Sequence, residues 1–454
     1  MQLPQALISE IKGVTGFDEA AFVAAHDTAA PTSIRKHPIK GSACTLTGAA
    51  IPWCTGGLYL PERPIFTLDP AFHAGAYYVQ EASSMFLEQV CKTALLTDHP
   101  IKVLDLCAAP GGKTTLLASI LPKDSLLISN EVIRSRASIL HENATRWGYM
   151  NNWVTSNDPR DFSKLTGYFD AVVIDAPCSG SGLFRKDPDA LKEWSEGNVQ
   201  LCSGRQQRII ADIWPALKQD GVMIYATCSF SPAEDEDILD HIVATYEADS
   251  VRIPLDNSWG IVETISASGM YGYRFFPDKV TGEGFFIAAI RKKDASTTLK
   301  SAKGRIQNLG KMKDQAAHLL ATTETQLIMT TKDQYHAINS LHEPDWLLLS
   351  QALYFRKAGT ELGQPTAKEW IPAHDVALSI DAASSLPSAE VSKEDALKFL
   401  KREDIDTTNL PRGWNIIKYN NLGLGWMKVL QNRANNHLPK HWRIRMDINN
   451  ADEL

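Results

Sequence analysis

The stretch IKVLDLCAAPGGKTTLLASI, residues 101–120, decides the fold class. IKVL is the apolar run of a short buried strand, TTLLASI has the pattern of a helix, and small residues join the two. In such a strand–turn–helix the ligand sits against the start of the helix, where free N–H groups favour an anionic or carboxylate-bearing group and small side chains let it approach. The turn Cys107, Ala108, Ala109, Pro110, Gly111, Gly112, Lys113 is therefore the candidate cofactor loop. It is not a phosphate loop of the GxxxxGK[ST] kind, because the position five before Gly112 is Cys107. Outward from it the alternation continues through LLISNEV (126–132), RSRASILHENATRWG (134–148), WVTS (153–156), YFDAVVIDAP (168–177), RQQRIIADIWPALKQ (205–219), GVMIYATCS (221–229) and GFFIAAIRK (284–292). Strand and helix taking turns in this way predict an α/β fold with a parallel sheet.

In an open parallel sheet the ligand crevice lies at the strand C-termini. If the ligand is a nucleoside, an acid at the end of the second strand holds its ribose hydroxyls, and Glu131 stands there. Asp158, in SNDPRDF after the third strand, either accepts from an adenine amino group or simply starts a turn. Two further strand ends carry cysteine: Asp175, Pro177 and Cys178 lie at one, and Thr227 and Cys228 at the other. Either cysteine alone reads as a buried structural thiol. Two of them at neighbouring strand ends point to thiol chemistry, although nothing in the residues themselves says which sulfur attacks.

These residues resemble the RNA cytosine-5 methyltransferases of the Nop/Sun group, which carry DxCAAPGGK, then DAPCSG, then TCS. The resemblance extends through SIRKHPIK, YYVQEASSM, GLFRKDPDALKEWS and RFFPDKVTGEGFFIAAI, covering roughly residues 30–293. It implies a Rossmann-like sheet that uses S-adenosylmethionine, with Cys228 adding to carbon 6 of cytosine and Asp175 at the pyrimidine edge. It also implies that Cys178 assists release of the product. Carbon 5 is a poor nucleophile toward a methyl sulfonium, so covalent activation by a thiolate is chemically apt. The tail GWMKVLQNRANNHLPKHWRIR resembles the bacterial small-subunit ribosomal RNA branch, whose members append a PUA-like RNA-binding domain. Ribosomal RNA of the 16S type is then the expected partner. Transfer RNA, a non-catalytic RNA-binding or assembly role, and methylation of nitrogen or oxygen are the rivals.

Length and charge are consistent with such an enzyme. At 454 residues the chain exceeds one ordinary core. The expected organisation is an N-terminal RNA-binding subdomain over 1–75, the methyltransferase domain over 76–293 and a linker over 294–305. A region of unassigned fold over 306–370 and a PUA-like domain over 371–448 complete it. Neither a secretory signal nor an apolar run of about eighteen residues is present, so a cytoplasmic location is expected. Seven cysteines without a C-x-x-C pair suggest free thiols and no metal. The net charge of -7 hides two basic segments. Residues 291–314 hold Arg291, Lys292, Lys293, Lys300, Lys303, Arg305, Lys311 and Lys313, a local balance of +6. Residues 409–445 hold seven Lys or Arg, no acid, and Trp414, Tyr419, Trp426 and Trp442. That pattern fits RNA, or equally a solvated basic face over core aromatics. Lys113 is placed to meet the cofactor carboxylate or the RNA, and Arg185 and Lys186 to contact phosphate. Plain solvation is the alternative for all three, and no oligomeric state follows from the sequence.

Overall fold

In the computed structural model the described residues are all except 96, 298, 300–303, 308, 310, 311, 313–315, 330–333, 409 and 448–454. The chain begins with helices Gln5–Ile11 and Glu19–Ala25 and then forms a four-stranded antiparallel sheet. Its strands are β1 (Thr32–Lys36), β2 (Ala49–Ala50), β3 (Gly57–Leu60) and β4 (Tyr77–Val79), in the order β2-β3-β1-β4. The expected boundary at 75 therefore falls too early, since β4 pairs Val79 with Ile34. That pairing joins positions far apart in the chain, and no local pattern near residue 75 announces it.

The central sheet has ten strands. Five are parallel: β5 (Lys102–Asp105), β6 (Leu126–Asn130), β7 (Asn152–Thr155), β8 (Phe169–Asp175) and β9 (Leu217–Thr227). Then come β10 (Ala248–Ser250), β11 (Val262–Ile265), β12 (Tyr271–Phe275) and β13 (Phe285–Lys292). The order is β11-β12-β13-β9-β8-β5-β6-β7 and one strand more, with β10 alongside β13. Both faces are covered. Leu104, Val172 and Ile174 enter one core, while Val103, Ala171 and Val173 enter the other. Buried on two sides, these strands read as continuous apolar runs. The chain leaves β5 toward β6 and β7, and later returns to fill β8 and β9 on the other side. The reversal beside β5 opens a crevice at the strand C-termini.

The region 306–370, unassigned from sequence, contributes β14 (Thr325–Met329), β15 (Tyr335–Asn339), β16 (Phe355–Lys357), β17 (Thr360–Pro365) and β18 (Trp370–Pro372). Four of these form a sheet ordered β14-β15-β17-β18. The fifth, β16, leaves it and pairs antiparallel with β7, which covers the open edge of the central sheet. The expected boundary at 371 cuts through β18 and is corrected accordingly. The C-terminal sheet comprises β19 (Ser388–Glu390), β20 (Gly413–Tyr419), β21 (Leu422–Val429) and β22 (Ala434–Asn436), in that order. Its helix Lys393–Lys401 starts at Ser392, whose hydroxyl accepts from Asp395 N. No described helix is long and apolar enough to cross a membrane.

Candidate active site

Every candidate segment emerges at the same end of the central sheet. The loop from Cys107 to Lys113 follows β5, Glu131 follows β6, Asp158 follows β7, Asp175 ends β8 with Cys178 beyond it, and Cys228 follows β9. In the loop, Gly111 has φ 119°, a conformation that L side chains rarely adopt, and the helix Gly112–Ile120 starts immediately after it. Thr114 on this helix donates to Asp105 Oδ2 at 2.6 Å. Asp105 is fully buried, and burial raises its carboxyl to about 7. Its Oδ1 has no hydrogen-bond partner among the described residues.

Glu131 is buried, with Oε1 accepting from Ile133 N at 2.9 Å and Oε2 lying 3.5 Å from Arg136. Asp158 caps the 3-10 helix Pro159–Lys164 in a reciprocal box with Asp161, so the turn-starting role is real; its side chain also remains about a third exposed. Cys107 is partly exposed, and burial together with Asp175 pushes its thiol well above the ordinary range.

The two cysteines meet. Cys178 Sγ and Cys228 Sγ are 3.1 Å apart, within reach of a single S–H···S contact. Cys178 holds its proton well above the usual thiol range, because its contact with Cys228, burial and the nearby carboxylate of Glu234 all disfavour a second negative charge there. Three residues before Cys178, Asp175 forms an ion pair with Lys113 at 2.8 Å, and the Lys113 ammonium lies 4.9 Å from the centre of the Phe285 ring. Lys113 is buried, so it is a partner of Asp175 first.

Several expectations change here. The Arg185 side chain is almost fully buried, with Glu283 at 3.1 Å and Thr28 Oγ1 at 3.1 Å. It is therefore a structural clasp and not a free phosphate contact, whereas Lys186 is exposed. In the first basic segment Lys292 donates to Trp214 O and Leu217 O, and Lys293 pairs with Asp220 and Asp249. Lys300, Lys303, Lys311 and Lys313 lie outside the described residues. In the tail Lys428 is paired with Glu369 from the preceding region, and Trp426 is a core side chain donating to Ala373 O. Trp414 packs edge-on against Trp426, and Trp442 against His374. The tail aromatics are thus packing groups, while Arg412, Arg433, Lys440, Arg443 and Arg445 are exposed. Among the described residues no group of three or more His, Cys, Asp or Glu is placed to hold a metal ion, and all seven cysteines are free.

Residues that no motif in the sequence marks also hold the site. Arg35, fully buried in β1, reaches across to Thr115 Oγ1 at 2.6 Å and Gln80 Oε1 at 2.9 Å, bracing the helix behind the cofactor loop. Arg274 binds Asp235, Glu236 and Phe230 O beyond Cys228. The opening stretch, which carried no usable motif, packs Leu7, Ile8, Ile11 and Phe22 against Phe184, Phe230 and Phe276. It backs the two cysteine loops with apolar mass. An amphipathic start to the chain was the only available signal.

Comparison with known proteins agrees with this geometry. Residues 93–291 match the model described as 16S rRNA methyltransferase RsmB/F, residues 3–82 match the N-terminal domain of 16S rRNA methyltransferase RsmF, and residues 387–444 match the methyltransferase RsmF PUA domain. The ribosomal RNA small subunit methyltransferase F of Aliivibrio salmonicida is 31% identical over 96% of this chain and 97% of its own length. The chain belongs to the RsmB/F family of RNA methyltransferases. Its counterpart in Shewanella loihica is likewise 31% identical, over 86% of this chain and 82% of its own. Among solved structures, a methyltransferase homologue from Pyrococcus horikoshii covers 64% of this chain and 95% of its own at 25% identity, TM-score 0.53. NSun6 from the same organism, solved with SFG, covers 64% and 99% at 19% identity with TM-score 0.54, a likeness of fold. The RsmF N-terminal match ends at 82, beyond β4, and the PUA match begins at 387, next to β19.

Proposed function

We propose that this RsmB/F enzyme transfers a methyl group from S-adenosylmethionine to carbon 5 of a cytosine in small-subunit ribosomal RNA, in the cytoplasm, with Cys228 as the nucleophile. The observation that carries the reading is the 3.1 Å approach of Cys178 and Cys228 beside the Lys113–Asp175 pair. A methyltransferase acting on nitrogen or oxygen has no need of two meeting thiols.

The crevice suits the cofactor. Glu131 offers a buried carboxylate for ribose hydroxyls, Asp158, about a third exposed, offers an acceptor for the adenine amino group, and Asp105 Oδ1, unpartnered among the described residues, adds a further acceptor near the loop. When bound there, S-adenosylmethionine supplies an electrophilic methyl group. Around it, the thiolate of Cys228 adds to carbon 6 of the cytosine, making carbon 5 nucleophilic. Charge that develops at the ring N3 edge is met by the Lys113–Asp175 pair. After methylation, the carbon 5 proton must leave before the bond from Cys228 to carbon 6 can break, and Cys178 is the adjacent group that assists. The base has to be out of any stack for Cys228 to reach its face, so open or single-stranded RNA is favoured.

The test is a methyl-transfer assay with labelled S-adenosylmethionine on unmodified small-subunit ribosomal RNA, digested to nucleosides. Label in 5-methylcytidine is the expected result. Label in another nucleoside, or binding of RNA with no transfer, overturns the reading in favour of a different reaction or of a non-catalytic role.

Two further outcomes are expected. Glu131→Ala lowers affinity for S-adenosylhomocysteine on the order of 10- to 100-fold, the value of one or two charge-assisted hydrogen bonds. Calorimetry reads this directly, and an unchanged affinity would move the ribose elsewhere. Neutralising Arg412, Arg433, Lys440, Arg443 and Arg445 flattens the dependence of log affinity for RNA on log salt by about 0.7 for each phosphate that those side chains no longer neutralise. An unaltered slope means that the C-terminal face is merely solvated.

A further inference from the structure

The run AEDED, residues 233–237, lies just beyond the second cysteine and reads as a string of solvated acids at a helix start. The structure breaks the run apart. Asp235 and Glu236 pair with Arg274, but Glu234 turns inward, is fully buried, and has no ion-pair partner among the described residues. A carboxylate buried without a cation is costly unless hydrogen bonds compensate it. Here they do. Glu234 Oε1 accepts from Ser179 N at 2.8 Å and from Gln206 Nε2 at 3.4 Å, and Oε2 accepts from Ser179 Oγ and Ser229 Oγ, both at 2.6 Å. Ser179 immediately follows Cys178, and Ser229 immediately follows Cys228. Gln206 also donates to Pro177 O at 3.1 Å, so the same cluster grips the first cysteine loop from both sides of Cys178.

We propose that Glu234 is a positioning residue that clamps the loop bearing Cys178 to the loop bearing Cys228, and so sets the distance between the two sulfurs. This rests on the proposed roles of those cysteines. One side chain reaches both loops because both strand ends lie side by side: β8 pairs with β9 as far as Asp175 and Ala226. Beyond that point the β8–β9 ladder ends, and only Thr227 is still held, by Phe286 of β13. The remaining backbone ties, Ala176 N to Ala226 O at 2.8 Å and Gly182 N to Cys228 O at 2.9 Å, leave the residues between them to be placed by side chains. The chemistry also explains the residue type. A fixed peptide N–H points at Oε1, which must accept, whereas the two partners of Oε2 are hydroxyls that can rotate to donate or accept. Glutamine can therefore take over the clamp and alanine cannot.

The clamp matters most after methylation, when Cys178 has to work on an adduct held by Cys228. With Glu234→Ala, kcat falls on the order of 10²-fold, the penalty for about 1 Å of misplacement. The KM for S-adenosylmethionine stays within about twofold, because Glu234 touches no part of the cofactor loop. The covalent protein–RNA species accumulates, since Cys228 still adds while elimination lags. Glu234→Gln restores turnover to within about tenfold of wild type and clears the adduct. Ser179→Ala, which removes a single hydroxyl on the Cys178 side, shifts the same readouts in the same direction by less, and it serves if the alanine variant does not fold. Wild-type turnover in Glu234→Ala, or a loss of turnover without adduct that glutamine does not rescue, overturns the clamp. Cys228→Ala run in parallel separates the two levels. If that variant is active, the thiol mechanism itself has failed; if it is inactive while Glu234→Ala is normal, only the clamp has.

Discussion

Replacing Cys228 with alanine reduces methyl transfer on the order of 10⁴-fold or more, because the nucleophile and the covalent route disappear together. Replacing Cys178 with alanine gives a different failure. The first half of the reaction proceeds, the product stays bonded to Cys228, and a protein–RNA species that survives denaturing electrophoresis builds up to near one per enzyme. The two sulfurs are 3.1 Å apart, so distance alone assigns neither role. The contact with Cys228, burial and the nearby Glu234 all raise the Cys178 thiol. The roles follow the family resemblance, and the two alanine variants test them. An adduct trapped by Cys228→Ala and absent in Cys178→Ala would reverse the assignment while leaving the chemistry intact.

The legible part of this protein is the part built from local rhythm. Strands β5 to β9 read directly, because burial on both faces makes them unbroken apolar runs, and the residues that end them are then known to share a crevice. Glu131, Asp158, Asp175, Cys178 and Cys228 all came from that one inference together with the family resemblance. What did not read was everything decided across long separations. Nothing around Tyr77 says that β4 returns to β1, and nothing in FRK (355–357) says that β16 abandons its own sheet to close the edge at β7.

Charge misled in a related way. Lys292, Lys293, Lys428 and Arg185 look like an RNA surface when counted along the chain, yet each finds a carboxylate or carbonyl partner in a distant segment. Glu234 is the converse, an acid that looks solvated and is buried. Sign can be read from sequence, but whether a charge is spoken for cannot, because its partner lies elsewhere in the chain.

Lys40 is a further case of a spoken-for charge, and its removal is expected to destabilise the fold strongly. Its ammonium is buried and donates to three carbonyls: Ala74 O at 3.2 Å beside β4, Arg146 O at 2.8 Å near the end of the helix Arg134–Trp147, and Leu378 O at 2.6 Å at the end of the helix His374–Leu378. The N-terminal, methyltransferase and C-terminal regions meet on one side chain. Lys40→Met keeps the apolar stem but strands three buried acceptors, at about 1–3 kcal/mol each before relaxation. A loss on the order of 3 kcal/mol or more in urea unfolding at pH 7 is expected, and a loss under 1 kcal/mol would show that water replaces the ammonium. The pH dependence gives a second check. Burial lowers Lys40 to about 7 from its ordinary 10.5, so above pH 7 the unfolded chain binds more protons at this residue than the folded one. Its contribution to stability is therefore smallest below pH 7 and rises as the pH climbs toward 10.5. The gap between wild type and Lys40→Met should widen between pH 7 and 9, on the order of 2 kcal/mol. Narrowing over that range would mean that the three carbonyls hold the proton against burial, since a neutral amine can offer only two N–H groups to three acceptors.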